Sequence, residues 1–349
     1  VFMFYTLRKN NVNPKVTLLL NTLLLLYIGL EMPKWMAYTQ ETEKNLPAAY
    51  ISPADLQSVA VKKRLPDIIY IVLDCYPSLS FQKEMLEKKD HYLDSSLKNM
   101  GFFSIPEPRS NYNRTAFTLS SVFQLEYHNW LQNNTKSNSF HYNKATQLVK
   151  NAALFDILSQ FRYQLHNFSI FDFADKSAIK KATFLSMPTH HIIFYNTIVN
   201  TIQREILWRF SPKSNATEEE KISYNKELLS FTKGYNQQIA DSLTYFPGRT
   251  NDSIPSFVYA HLLMPHFPYF FDSTGRAYQE KEVYGNMMIK DKAKFRNYIS
   301  YTDKKITGII QSLLQKKGSN SIIIVQSDHG LSDFDKTRKQ DAFRNYSAF

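Results

Sequence analysis

The run Ser321-Ile-Ile-Ile-Val-Gln-Ser-Asp-His-Gly330 constrains the chain more than any other stretch. Its β-branched, apolar residues read as a strand buried on both faces, as in the parallel sheets of α/β domains. The run stops at Asp328 and His329, where Gly330 lets the backbone turn away. Ligands of open α/β sheets bind just beyond the carboxyl ends of the strands. An Asp-His pair at that point has the chemistry of two metal ligands and needs partners from elsewhere in the chain.

Two further strand patterns supply them. Leu65-Pro66-Asp67 opens Ile68–Leu73, which ends at Asp74. Pro255–Ala260 runs into His261-Leu-Leu-Met-Pro-His266-Phe-Pro268, two histidines at a strand end with prolines fixing the loop. Between these strands, Phe81–Met100 has helical spacing and is closed by Gly101. Thr115 stands at the N-cap position of an amphipathic run that reaches Glu126. Residues 127–255 are rich in Asn, Lys and aromatics, with helical segments at Gln147–Phe161 and Glu218–Leu243, and read as layer helices plus an insertion over the site. Tyr298–Lys316 is helical and leads into the last strand. Strand, acidic residue and helix in succession open an α/β unit. The expected fold is therefore α/β, a central, mostly parallel mixed sheet between helical layers.

Composition narrows the function classes. The 349 residues carry a net charge of +11, which fits an anionic membrane surface or an anionic substrate. Zinc-finger spacing, RNP-like aromatic motifs and dense Lys/Arg tracts are all missing from the sequence, so a nucleic-acid partner is not expected. The single cysteine, Cys75, excludes an internal disulfide framework and a Cys-rich metal site. Val16–Leu30 (VTLLLNTLLLLYIGL) follows Arg8, Lys9 and Lys15. It is shorter than the roughly 20 apolar residues of a full span but can recruit Met32 and tolerate Asn21. The expected organisation is a membrane segment over 1–32, a polar, Pro-containing linker over 33–65 and a catalytic domain over 66–349. The basic flank places the N-terminal side in the cytoplasm and the domain outside. Val1-Phe-Met-Phe-Tyr5 resembles the exit of an earlier apolar segment, and such a sheet would continue past Phe349. The sequence is thus expected to be a piece of something longer at both ends.

Two carboxylates, an imidazole and a hydroxyl form a mixed hard and borderline donor set, suited to Zn²⁺ or Mn²⁺ and less to Mg²⁺ or Ca²⁺. A threonine hydroxyl is hardly ionised at neutral pH, and no Ser-His-Asp arrangement is evident to activate it. Metal coordination would lower its pKa and set it in line with a phosphoryl or sulfuryl group, which the helix N-terminus also favours. Thr118 and Ser120 are rivals for that role. His261 and His266 would hold a second metal, bind the non-bridging oxygens or protonate the leaving group. His91, His128, His141, His166, His190 and His191 have no evident partner and read as structural.

At these residues the sequence resembles the alkaline phosphatase superfamily, in particular its membrane-anchored sulfatase-like branch of phosphoethanolamine transferases and lipoteichoic acid synthases. The resemblance runs from Pro66 to Gly330. It rests on the strand ending in Asp74, on Arg114-Thr115 at a helix start, on His261 and His266 followed by Pro268, and on Ser327-Asp-His-Gly330. It implies an enzyme at the cytoplasmic (inner) membrane with its catalytic domain facing the periplasm or exterior. It also implies that Thr115 takes a group from a membrane lipid or envelope glycan as a phosphothreonine and passes it on. By the same likeness Asp74, Thr115, Asp328 and His329 bind the catalytic metal, and His261 and His266 contact substrate or a second ion. The chain departs from the pattern in three ways. Cys75-Tyr-Pro77-Ser-Leu79 has Leu79 where the Cys-x-Pro-x-Arg motif of true sulfatases has arginine, and it precedes the expected nucleophile position. Asp74 lacks a second adjacent carboxylate, which favours one main metal. The cysteine-rich pattern of many phosphoethanolamine transferases is missing.

Overall fold

Strand β1 (Asp67–Asp74) is the axis of the sheet, and its residues from Ile69 to Leu73 are buried among aromatic and aliphatic side chains. It pairs in parallel with β3 (Ser256–Pro265) on one side and β4 (Ser321–Ser327) on the other. β2 (Gln164–Phe168) adds in parallel beyond β3, and the two-residue β5 (Ser347–Ala348) adds antiparallel beyond β4. The order β2-β3-β1-β4-β5 is the mostly parallel, mixed α/β sheet expected from the sequence.

The computed structural model describes residues 18, 21–23, 25–30, 32–33, 65–131, 139–179, 218–246, 254–279, 282–283, 291–317, 320–331, 334–335 and 337–349. The chain divides into two units, Val1–Ala48 and Ala49–Phe349. In the first, residues 21–23, 25–30 and 32–33 are helical, and Leu23, Leu25, Leu26 and Leu30 are exposed. Among the described residues no helix is long and apolar enough to cross a membrane. The rest of the expected 1–32 segment, nearly all of the 33–65 linker and much of the 127–255 stretch lie outside the described residues.

Several element boundaries differ from the sequence expectation. The helix expected over Phe81–Met100 is two, α1 (Leu79–Leu86) and α2 (Tyr92–Asn99). Glu87 ends α1 in the left-handed region, at φ 53°, and Lys88 then turns inward to pair with the buried Asp303 at 3.0 Å. Tyr76 donates to the same carboxylate at 2.6 Å, so the loop after β1 is tied to the helix that carries Asp303. Past α3 (Thr115–Gln124), the helix expected over Gln147–Phe161 is likewise two, α4 (Ser139–Lys150) and α5 (Ala153–Gln160). The side chain of Gln124 takes up the carbonyls of Leu148 and Asn151 at that break, satisfying helix-end groups that have no intrahelical partner. α6 (Glu218–Thr244) lies where expected, while α7 (Lys292–Lys317) begins more than a turn before the expected start at Tyr298.

The largest correction concerns β3. It does not stop at Ala260 but continues to Pro265, so His261 lies inside the strand, opposite Val72, and not at its end. β2 covers β3 only as far as Ala260, which leaves the next backbone groups without a strand partner. α6 supplies the missing bonds. Tyr235 donates to the carbonyl of His261 at 2.7 Å, and the Asn236 side chain takes both the N–H and the carbonyl of Leu263. β4 also departs from expectation, since it is not buried on both faces. Ile323, Val325 and Ser327 point inward, while Ile322 is exposed and Ile324 and Gln326 are half-buried, as suits a strand near the sheet edge with only a two-residue neighbour.

Candidate active site and metal centre

Asp74 ends β1, His266 follows β3 directly, and Asp328 and His329 follow β4, so three adjacent parallel strands deliver these side chains to one end of the sheet. The backbone locks the three exits together. The N–H of Asp328 donates to the carbonyl of Leu73, and that of His266 to the carbonyl of Asp74. The Ser327 hydroxyl donates to the carbonyl of Tyr76 at 2.6 Å, which ties the end of β4 to the turn after β1. Gly330 is required for space and not for an unusual dihedral angle. A Cβ there would lie 2.4 Å from the backbone oxygens of both Asp341 and Arg344.

Each side chain is oriented by what it already holds. Oδ1 of Asp328 accepts from the N–H groups of Cys75 at 3.1 Å and His329 at 2.8 Å, while Oδ2 is buried without a hydrogen-bond partner. Nδ1 of His329 lies 2.8 Å from the carbonyl of Gly330. A carbonyl only accepts, so Nδ1 carries the proton and Nε2 presents a lone pair. Around Nε2 stand Thr115 Oγ1 at 3.4 Å, Asp328 Oδ2 at 3.5 Å and Asp74 Oδ1 at 3.8 Å. Asp74 Oδ1 also has no hydrogen-bond partner. Burial, reinforced by the charge of Asp328, pushes the Asp74 carboxyl up to about 8, against the opposing pull of His329 and of a hydrogen bond from Cys75.

Two buried carboxylate oxygens without partners, aimed at an imidazole lone pair and a hydroxyl, fit a divalent cation. Such oxygens are costly unless something positive meets them. The mixture of oxygen and nitrogen donors suits zinc or manganese. Asp74, Asp328 and His329 each offer a ligand atom within 4.8 Å of the others, and so, as a second group, do Asp74, Cys75 and His266.

Thr115 is the first residue of α3, one position inside the helix, and Arg114 is the N-cap. Its hydroxyl is therefore not spent on capping and faces His329. The rivals are occupied. Thr118 donates to the carbonyl of Tyr112, and Ser120 donates to that of Phe117 while pairing with His128 at 2.6 Å. His266 belongs to the second donor group, with Nδ1 at 2.6 Å from the carbonyl of Phe267. His261 belongs to neither group. It is fully buried in β3, stacked on Phe171, with both ring nitrogens lacking hydrogen-bond partners, and burial lowers its pKa to about 4.

Two residues near the site are not evident from sequence reasoning. Cys75, set aside there as no more than an imperfect motif, is buried with Sγ 3.5 Å from Nδ1 of His329. Its adjacency to Asp74 was the available signal. Tyr142 of α4 feels both Asp74 and Asp328, and burial together with those charges pushes its phenol up to about 12. Nothing in the local sequence around Tyr142 announces this position.

Comparison with known proteins adds the following. The family model described as Sulfatase matches residues 106–345. No curated protein matches the sequence. Among solved structures, the integral membrane protein lipooligosaccharide phosphoethanolamine transferase A from Neisseria meningitidis is similar at 14% identity and a TM-score of 0.43, over 93% of this chain and 60% of that one. The zinc complex of the C-terminal periplasmic domain of EcEptC from Escherichia coli is similar at 10% identity and a TM-score of 0.41, over 82% and 72%. A protein of a glycosaminoglycan-metabolism locus of Bacteroides thetaiotaomicron is similar at 14% identity and a TM-score of 0.44, over 81% and 66%.

Proposed function

We propose that this chain, which belongs to the sulfatase family, transfers or hydrolyses a phosphoryl-type or sulfuryl group through Thr115 in a metal-dependent reaction. The observation that carries the reading is the ring of groups around His329 Nε2, a threonine hydroxyl at 3.4 Å and two buried carboxylate oxygens without hydrogen-bond partners. Asp74, Asp328, His329 and Thr115 would hold the cation. When bound, it supplies Lewis-acid polarisation of the ester and lowers the pKa of the coordinated hydroxyl.

The remaining steps fall to the chain itself. Asp328 is held by two backbone N–H groups and His329 by its own Nδ1–H, so neither must reorganise when substrate arrives. The N-terminus of α3 faces the same space with N–H groups that lack intrahelical acceptors, which suits the non-bridging oxygens of a phosphate or sulfate ester. Thr115 Oγ forms a bond to phosphorus or sulfur as the ester bond breaks. The hydroxyl proton leaves to solvent, and His266 in its protonated form delivers a proton to the departing oxygen. Attack by water or by an acceptor hydroxyl then restores Thr115. His261, deprotonated by burial and inside a strand, is assigned to shaping the wall behind the site.

The net charge of +11 and the apolar run from Val16 to Leu30 support an anionic, membrane-associated lipid or envelope-glycan substrate, met outside the cytoplasmic membrane. The test is turnover with zinc or manganese on a phosphoethanolamine-bearing phospholipid, an aryl phosphate and an aryl sulfate, each with and without an added glycan acceptor. Product that requires the acceptor identifies a transferase, and free phosphate or sulfate without it identifies a hydrolase. Loss of either activity in Thr115→Ala is expected. Turnover by that variant would refute the nucleophile, and no turnover of any ester by wild type would favour a binding domain of this fold.

A further inference from the structure

A cavity of about 390 Å³ lies where α6 and α7 pack beside the end of β3, and the reaction proposed above makes no use of it. Met264 of β3, Phe270 and Phe271 of the following loop, and Tyr298 and Tyr301 of α7 form its apolar wall. We propose that it binds an anionic amphiphile of the membrane. One alkyl chain would lie among those side chains, with its phosphate-type head at Lys233 and Lys305. This ligand is distinct from the ester that reacts at Thr115, and the proposal does not rest on that reaction.

Charge selects the head. Lys233 of α6 and Lys305 of α7 both line the cavity, and no carboxylate does. The Lys233 ammonium stands 5.7 Å from the centre of the Phe271 ring, and neither lysine has a carboxylate partner among the described residues. The acid next to them on α7 is already engaged, because Asp303 is held by Lys88 at 3.0 Å and by Tyr76 at 2.6 Å. Two ammonium groups at one apolar cavity repel each other, and an anion between them relieves that repulsion. The net charge of +11 draws the same class of ligand from a lipid surface.

Shape selects the tail. Phe271 and Tyr301 stack at 4.5 Å, Tyr301 and Tyr298 stack at 5.9 Å, and Lys233 covers Phe271 from another side. Much of the flat ring surface on which a sugar would stack is thus taken up by neighbours. Ring edges and the Met264 thioether remain, an adaptable apolar surface that suits a flexible chain. Met264, Phe270 and Tyr298 are buried, while Ser230, Gly234 and Gln237 of α6 form an exposed rim. The volume falls in the range of small-molecule sites, about 300–1,000 Å³. The walls are also set in advance. The Asn236 side chain holds both backbone groups of Leu263, Lys304 donates to the carbonyl of Ser273 at 2.8 Å, and the N–H of Tyr278 donates to the carbonyl of Phe270.

Methyl NMR of the full chain, labelled at methionine and held in phosphatidylcholine nanodiscs, tests this with alkyl phosphates from butyl to octyl. Loss of one signal in Met264→Leu assigns the reporter. Octyl phosphate should shift the Met264 methyl. Affinity, referred to the free aqueous probe, should tighten about three- to fourfold per methylene. Lys233→Gln with Lys305→Gln should weaken octyl phosphate at least tenfold, and Ser230→Trp, placed on the exposed rim, should block it. Octyl glucoside binding as tightly as octyl phosphate would overturn the role of the lysines. Inorganic phosphate giving the same shift, with no dependence on chain length, would overturn the apolar tail. A shift abolished by metal depletion or by Thr115→Ala would assign the probe to the reacting site and overturn a separate one. No Met264 shift with any probe would overturn the proposal outright, and would leave the chemistry at Thr115 untouched.

Discussion

Gly330→Ala should damage the site without touching any of its ligands. The added methyl would lie 2.4 Å from the carbonyl oxygens of Asp341 and Arg344, about 1 Å short of ordinary contact, and 3.0 Å from the Arg344 carbonyl carbon. Neither oxygen can easily give way. The Arg344 carbonyl accepts from the N–H of Ser78, and the Asp341 carbonyl accepts from the N–H of Arg344. The Gly330 segment must move instead, at an overpacking cost of about 1–3 kcal/mol. That movement also strains the bond from the Gly330 N–H to Ala342, whose loss adds about 0.5–1.5 kcal/mol. Together these give about 2–4 kcal/mol, or a fall in Tm of roughly 3–7 °C for a domain of this size. The carbonyl of Gly330 orients His329, so affinity for zinc should drop in the same variant. Differential scanning fluorimetry of the metal-free chain reads the first effect, and zinc titration reads the second. A Tm within about 2 °C of wild type together with unchanged zinc affinity would refute the close-packing argument.

Other expectations follow from the same contacts. In the metal-free chain Asp74 keeps its proton to about pH 8 when folded, against an ordinary value of 3.8, so the folded state binds more protons between those values. Stability should therefore fall as the pH rises through that window, and Asp74→Asn or saturating zinc should flatten the slope in pH-dependent thermal melts; a stability that rises with pH there would contradict it. Asp303→Asn strands the buried Lys88 ammonium and should cost about 3–5 kcal/mol in urea unfolding, while a loss below 1 kcal/mol would count against a structural role for that pair. Thr118→Ala and Ser120→Ala should leave turnover within about threefold of wild type, since their hydroxyls are engaged by the carbonyls of Tyr112 and Phe117, and loss in either would reopen the choice of nucleophile.

How much was legible in the sequence depended on whether a residue's role was local. Ile68–Leu73 and Ser321–Ser327 declare strands because their apolar, β-branched runs are short and bounded, and the acidic residues closing them fall at the carboxyl ends where ligands bind. Asp74, Thr115, Asp328 and His329 are brought together as their positions suggested. His261 was misplaced because the limit of β3 is set by α6, whose Tyr235 and Asn236 satisfy backbone groups that β2 does not reach. A strand boundary fixed from across the fold leaves no local mark. The same holds for Lys88, whose pairing with Asp303 accompanies the break in a run that otherwise reads as one helix. Gly330 was read as a dihedral requirement, whereas the need for it comes from Asp341 and Arg344, which return to cover it. Cys75 was judged against a nucleophile motif, while its position beside Asp74 gives it a place among possible metal ligands.

The covalent role of Thr115 is the most direct point of test for the whole account. Intact-mass measurement with peptide mapping, after exposure of the zinc- or manganese-loaded chain to an ester substrate and rapid acid quench, reads it out. The account predicts an added phosphoryl, substituted phosphoryl or sulfuryl mass on the peptide containing Thr115, absent from Thr115→Ala and from the metal-depleted protein. The same adduct on Cys75, or turnover with no adduct under conditions that trap the intermediate, would contradict it.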